Sequence, residues 1–310
     1  MKSHSRYAVS RRLLLFDCLF IGLGAESGSV GKLTAPDGSN LGMQALLPYF
    51  QVLPFAEVLF QDYVFSGVAL LCVNGLTNLT AAVLLLKKKR LGVILGGIFG
   101  VTLMAWITIQ FVIFPANVLS ISYFIFGAIQ AAAGFAAWVF EGQERFAASP
   151  ADYPHIGENP NRLVVYFSRM GYVRREACEV ADRTGAALYE VKATERTEGT
   201  PGFWWCGRFG MHGWPMPIEQ TLPDLSAYEH VTVCSPIWVF RLSGPMRAFC
   251  MAAAGKVREA DYVLVHFQRA RYENAAAEMD RLLGLSGTPT VSVCCRWGRV
   301  LRRETLRRNG

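Results

Sequence analysis

Leu163-Val-Val-Tyr-Phe-Ser-Arg-Met-Gly-Tyr172 opens as an apolar, partly β-branched run and breaks at Ser168 into small and polar residues. Leu163 to Phe167 read as a strand buried on both faces, as parallel strands are. Ser168 to Val173 make a turn, and from about Tyr172 the spacing of Ala177, Val180 and Ala181 predicts a helix. A helix starting there aims its unpaired N–H groups back into the turn, which suits an anion. An ordinary strand-to-helix turn without a ligand is the competing reading, because one such match is a weak signal.

Working outward, strand-like runs recur at Ala187–Val191, Val231–Cys234, Tyr262–Phe267 and Thr290–Val293. Helical patterns fall at Val173–Arg183, Gly244–Ala254 and Arg271–Leu283. This alternation predicts a parallel sheet covered by helices on both faces. Residues 161–310 form this domain, of ordinary size. The Pro-containing, small and polar segment 147–160 is a linker.

Three loops carry a resemblance. Ser168-Arg169-Met170-Gly171-Tyr172-Val173 stands where the flavodoxin family has its phosphate loop, and Ser235-Pro236-Ile237-Trp238-Val239-Phe240 where that family presents an aromatic to the flavin ring. His266-Phe267-Gln268-Arg269 follows the fourth strand, the family's third ligand loop. The domain resembles a flavodoxin, which implies an α/β fold with a parallel five-stranded sheet in order 2-1-3-4-5 and FMN outside the carboxyl ends of the strands. The resemblance spans Asn161 to about Gly298. Met170 and Val173 depart from it, replacing hydroxyl residues that bond the phosphate in the family. Ser168, Gly171 and the backbone donors remain, and Arg169 is expected to offset the lost bonds with charge.

Glu195 to Glu219 is also unlike the family. It holds Phe203, Trp204, Trp205, Phe209 and Trp214 among several Gly and Pro residues. Gly and Pro argue against a long helix, so an ordered loop is expected. Trp204 and Trp205 are candidate lids over a bound ring. Docking on the last membrane helix or in the lipid interface is the other use open to these aromatics.

The whole chain has 310 residues, 52% of them hydrophobic and only 18% charged, with a mean hydropathy of +0.25. That is too apolar for an ordinary soluble protein. The apolar excess lies in residues 1–146, where Tyr63–Leu86, Leu91–Phe114 and Asn117–Phe140 each suffice to cross a bilayer. Leu13 to about Gly24, interrupted by Asp17, is a weaker first span or a signal segment. About four transmembrane helices result. Leu41–Phe60, broken by Pro48 and Pro54, is expected to be re-entrant or interfacial. Lys2, Arg6, Arg11, Arg12 and Lys87-Lys88-Lys89-Arg90 mark the cytoplasmic side, which places the second half of the chain in the cytoplasm.

Gly92, Gly96 and Gly100 put small residues on one helix face for close packing. Asn74, Asn78, Gln110 and Gln130 need partners in lipid and supply either interhelical bonds or a polar site. The Asn78-Leu79-Thr80 sequon is discounted, since it falls near the cytoplasmic end of a span. The net charge of +7 ends in Arg296–Arg308, with six Arg. A solvated, partly helical tail attracted to anionic lipid is expected there, and no nucleic-acid partner. Eight dispersed Cys without a C-x-x-C pair and five scattered His indicate no metal site.

These features together imply an integral-membrane flavoprotein that binds FMN and transfers electrons between a donor and an acceptor the sequence does not identify. It would be a carrier or an NAD(P)H-dependent reductase of a quinone or another acceptor. The alternative is a membrane protein whose transmembrane bundle performs transport or sensing, with a degenerate flavodoxin-like domain as regulator.

Overall fold

The computed structural model describes residues 6–219 and 222–306. Lys2, Arg307 and Arg308, which entered the charge reading above, lie outside the described residues. The chain divides into two compact units, Met1–Glu141 and Gly142–Gly310.

In the first unit, four helical segments are long and apolar enough to cross a membrane. They are α1 (Arg6–Thr34), the segment Val64–Leu86, α5 (Arg90–Ile113) and α6 (Val118–Phe146), whose last residues belong to the second unit. Val64–Leu86 is composite: α3 (Val64–Leu70) and α4 (Thr77–Leu86) flank a π-helical stretch, Leu71–Leu76. The first helix runs beyond the apolar core read from sequence and stops shortly before Pro36, as a helix must. Leu41–Phe60 holds no helix long enough to cross a membrane. It forms 3-10 turns and the short α2 (Ala56–Leu59), and its Phe50 stacks on Phe60 at 5.2 Å and meets Tyr63 edge-on at 5.7 Å.

The small-residue face of α5 packs within the chain. A Cβ on Gly96 would meet Leu14 and Cys18 of α1 at 3.2 Å, and one on Gly100 would meet the Gly127 carbonyl of α6 at 2.7 Å. The buried amides partly satisfy one another. Gln130 Nε2 donates to Asn78 Oδ1 at 2.7 Å and to the Gly96 carbonyl at 2.9 Å, and Asn78 Nδ2 donates to the Asn74 carbonyl at 2.9 Å. Interhelical bonding is therefore the role of Gln130 and Asn78.

The second unit alternates β1 (Asn159–Tyr166), α7 (Tyr172–Thr184), β2 (Ala186–Glu190), α8 (Gly199–His212), β3 (His230–Trp238), β4 (Arg241–Leu242), α9 (Gly244–Ala252), β5 (Glu259–His266), α10 (Glu273–Leu283), β6 (Thr290–Arg296) and β7 (Arg299–Leu306). The order is β2-β1-β3-β5-β6-β7, with β4 paired to β3. Strands β2, β1, β3, β5 and β6 are mutually parallel, whereas β7 and β4 are antiparallel. The expectation of a purely parallel five-stranded sheet is thus corrected to a mixed sheet of seven strands.

The basic end of the chain causes most of this difference, because it is a strand rather than a solvated, partly helical tail. Trp297 (φ 49°) and Gly298 (φ 73°) form a tight reversal after β6, and two left-handed residues are what a two-residue hairpin of matching twist requires. Arg303 then reaches from β7 to Glu176 and Glu179 of α7, at 2.7 and 3.3 Å. Apolar layers fill both faces of the sheet. Val165, Val233, Leu264 and Phe249 belong to one, and Val164, Cys234, Val263 and Val180 to the other.

Candidate functional site

The chain leaves β1, turns back through β2 at one side, then crosses over β1 to enter β3 on the other. At such a reversal of strand order the neighbouring connections diverge and leave a crevice beyond the carboxyl ends of the strands. Ser168–Gly171, the turn after β3 and the loop after β5 all project from that edge.

Gly171 begins α7 in a left-handed conformation, φ 85°, which glycine adopts without the penalty of a Cβ. Ser168 Oγ accepts the Gly171 N–H at 3.1 Å, closing the turn while leaving its own O–H to donate. The first backbone bond into the helix is Arg175 N–H to the Gly171 carbonyl at 3.1 Å. The amides of Tyr172, Val173 and Arg174 precede it and have no place in the helical ladder.

The loop's side chains are unequal. Met170 is exposed, but Val173 is buried in the core beneath α7. Tyr172 packs against Phe146 at 5.0 Å, and its hydroxyl accepts the Gly298 N–H at 2.9 Å. Tyr172 and Val173 therefore face the core, and only their backbone amides face the turn. Arg169 donates from Nε to the Thr197 carbonyl at 2.7 Å and from Nη2 to the Gly199 carbonyl at 2.8 Å, with its guanidinium 5.4 Å above the Phe203 ring. It straps the turn to the start of α8. Arg174 pairs with Glu190 at the end of β2, at 2.6 Å.

The aromatic segment is the helix α8, not a loop. Pro201 lies in its first turn, where the missing N–H costs nothing. Gly210 serves contact: a Cβ there would come within 2.9 Å of the Trp238 Cβ and carbonyl. Trp204 is 71% exposed and meets Phe203 edge-on at 5.5 Å. Trp205 donates from Nε1 to Glu195 at 3.1 Å, and Arg208 lies over both Trp205 and Trp214.

At the end of β3, Trp238 is half-buried and meets Phe167 edge-on at 5.6 Å. It leads into a two-residue turn in which Val239 (φ 47°) and Phe240 (φ 64°) are both left-handed and exposed. Ser235 is fully buried, its hydroxyl 2.9 Å from the Pro236 carbonyl and 3.2 Å from Ser243 Oγ, and Ile237 pairs with Leu242 of β4. Ser235 and Ile237 thus shape the turn from behind, while Trp238, Val239 and Phe240 form its outer surface.

At the end of β5, His266 is buried, and burial holds its imidazole below its ordinary value of 6.5. Its Nδ1 lies 2.5 Å from the Gln268 carbonyl and its Nε2 2.7 Å from Ser292 Oγ. A carbonyl only accepts, so Nδ1 carries the proton of the neutral ring. Phe267 is exposed beneath Arg296, whose Cζ is 4.8 Å from the ring centre.

The arrangement offers anion donors and exposed rings. Burial pushes the thiols of Cys178 and Cys206 up to about 11 and that of Cys295 up to about 12, whereas a reactive thiol needs a lowered value. Sequence reading missed the Arg169 strap and the Trp297-Gly298 turn. The second had a signal, a glycine shortly after the β-forming run Thr290–Val293.

No family model and no curated protein matches the chain. Among solved structures it is similar to a flavoprotein in complex with FMN from Lactobacillus acidophilus NCFM, at 16% identity over 43% of this chain and 91% of that one, TM-score 0.36. A putative flavoprotein from Bacteroides uniformis ATCC 8492 shares 19% identity over 44% of this chain and 94% of that one, TM-score 0.38. Another from Bacteroides eggerthii DSM 20697 shares 18% over 43% and 86%, TM-score 0.37.

Proposed function

We propose that the second unit binds FMN at the carboxyl edge of its sheet and that the chain is a membrane-anchored flavoprotein transferring electrons. The observation that carries this reading is the glycine-capped turn Ser168–Gly171 opening α7 at the reversal between β1 and β3, beside the aromatic turn of Trp238. The residues present fit the group. The amides of Tyr172, Val173 and Arg174 with the Ser168 hydroxyl would hold the phosphate, and Trp238 and Phe240 would border the ring, with Met170 at the rim. Trp204 and Trp205 would cover the site from α8. Bound there, FMN supplies one- and two-electron transfer, and the protein sets its potential and access.

The four apolar helices would anchor the chain in a plasma or inner membrane, with the second unit cytoplasmic. The basic residues at the starts of α1 and α5 support that orientation. Domain limits of 1–146, 147–160 and 161–310 belong to the same reading. A reductase passing hydride from NAD(P)H to a quinone or another acceptor is its catalytic form.

The test is the full chain purified in detergent. It should absorb at roughly 450 nm, as flavins do, or take up added FMN. FMN should bind more tightly than riboflavin, which lacks the phosphate. A colourless protein that takes up neither, or one that binds both equally, sinks the phosphate-cradle reading.

A further inference from the structure

The first unit holds a cavity of about 680 Å³ between α1, the π-helical stretch, α5 and α6, and a second of about 420 Å³ shares Lys32, Trp106 and Gln110 with it. The larger is within the range of small-molecule sites. Its wall is mostly apolar, with Ile21, Leu103 and Ile107 among its residues, yet the buried polar side chains of Lys32, Asn74 and Ser120 line it.

Lys32, near the end of α1, is 7% exposed. Among the described residues no carboxylate pairs with its ammonium, which lies 5.8 Å from the Tyr63 ring centre. A ring face compensates a buried cation only in part. Asn74 is fully buried in the π-helical stretch, and neither atom of its carboxamide has a hydrogen bond. An unmet amide in an apolar setting is costly. π-helical turns also recur at functional sites, and an ionisable group inside a membrane domain commonly marks one.

We propose that this cavity is a ligand site and that its occupant is an amphiphile carrying one negative charge, with the anionic head on Lys32 and the hydrocarbon along the apolar wall. A neutral carbonyl compound would leave the ammonium without a counter-charge, and a small inorganic anion would leave the apolar wall empty. Asn74 and Gln110 supply amides for the head's remaining lone pairs. The site is independent of flavin binding, so either reading can fail alone.

Native mass spectrometry of the full chain in detergent tests this, with oleate and oleyl alcohol offered at equal concentration. The two probes share a chain and differ in head charge. Wild type should retain oleate at least about ten-fold more than the alcohol, a difference of roughly 1.4 kcal/mol. Lys32→Met should bring the ratio close to one, and Lys32→Arg should keep it. Equal retention of both probes by wild type, which requires no variant to fold, overturns the proposal, as does an unchanged preference in Lys32→Met. A parallel arm compares dioleoylphosphatidylglycerol with dioleoylphosphatidylcholine. Preference for the anionic lipid assigns the head to a lipid phosphate, and preference for oleate alone assigns it to a fatty-acid carboxylate.

Discussion

Arg169 Nε donates to the Thr197 carbonyl at 2.7 Å, joining the turn after β1 to the approach of α8. With the second bond to Gly199, two N–H groups of the guanidinium are spent on backbone carbonyls. The geometry makes Arg169 a positioning residue first and a source of charge second. Arg169→Ala should therefore loosen α8, cost about 2 kcal/mol of stability, as hydrogen bonds from charged groups do, and raise proteolysis near residues 195–200. Arg169→Lys should not restore it, since an ammonium lacks the planar fork. Proteolysis unchanged in the alanine variant would remove the strap from the account.

Gly171→Ala separates the turn from the rest of the site. Its φ of 85° is left-handed, and an added Cβ would meet only the Ala147 Cα at 4.0 Å, so the penalty is backbone strain rather than a clash. A cost of about 1 kcal/mol is expected. If the phosphate sits on the amides that follow, FMN affinity should fall while riboflavin affinity stays the same. A titration with both flavins reads the difference.

The strands and flanking helices of the second unit were legible because their apolar periods are clean, and β1 and α7 fall within a few residues of where the spacing puts them. Side-chain direction was not. Val173 stands at a position the resemblance assigns to phosphate, yet its side chain fills the core. α8 was hidden because its glycines weigh against a helix by propensity. Propensity does not register that Gly210 lets the helix touch the backbone of Trp238. β7 was hidden because a segment rich in Arg (Arg299, Arg302 and Arg303) looks solvated, and only the pairing with α7 gives Arg303 its place. In the first unit, the extents of three apolar segments were legible and that of α1 was not, since it runs from Arg6 to Thr34; nor was the division of labour between Gln130, bonded to its neighbours, and Asn74, facing the cavity.

Glu176 supplies a pH-dependent contribution. Its side chain is fully buried, and burial raises its carboxyl above the ordinary value of 4.5, with the nearby Arg303 only partly opposing that. The folded state thus holds this proton more tightly than the unfolded one. Its contribution to stability is fully present below pH 4.5 and is lost as pH rises through the folded value. Glu176→Gln should remove that component, so that the variant gains on wild type as pH rises through this window. Denaturation at several pH values checks the direction, and a gap that does not change with pH would reject it.

His266 works in the opposite direction. Burial lowers its imidazole in the folded state, so the neutral ring is the one the fold accommodates. Its stabilising contribution is present above pH 6.5 and is lost as pH falls through the folded value. His266→Gln should flatten that acid limb while leaving the Glu176 component in place. An acid limb of unchanged slope in the variant assigns it to other groups.

Val239 offers a test in which stability and binding are expected to part. A β-branched residue at φ 47° followed by Phe240 at φ 64° is strained, because an L side chain in the left-handed region crowds its own backbone. Asparagine tolerates that conformation, and Asn-Gly is favoured where both residues of a hairpin turn are left-handed. Val239→Asn should therefore raise stability by about 1 kcal/mol, and adding Phe240→Gly should raise it further. If Phe240 borders the flavin ring, the double variant should bind FMN more weakly although it is the more stable protein, while Val239→Asn alone should bind as wild type does. Chemical denaturation and an FMN titration on the same preparations read both quantities. Undiminished FMN binding by the double variant would place the ring away from this turn and leave Trp238 alone to border it.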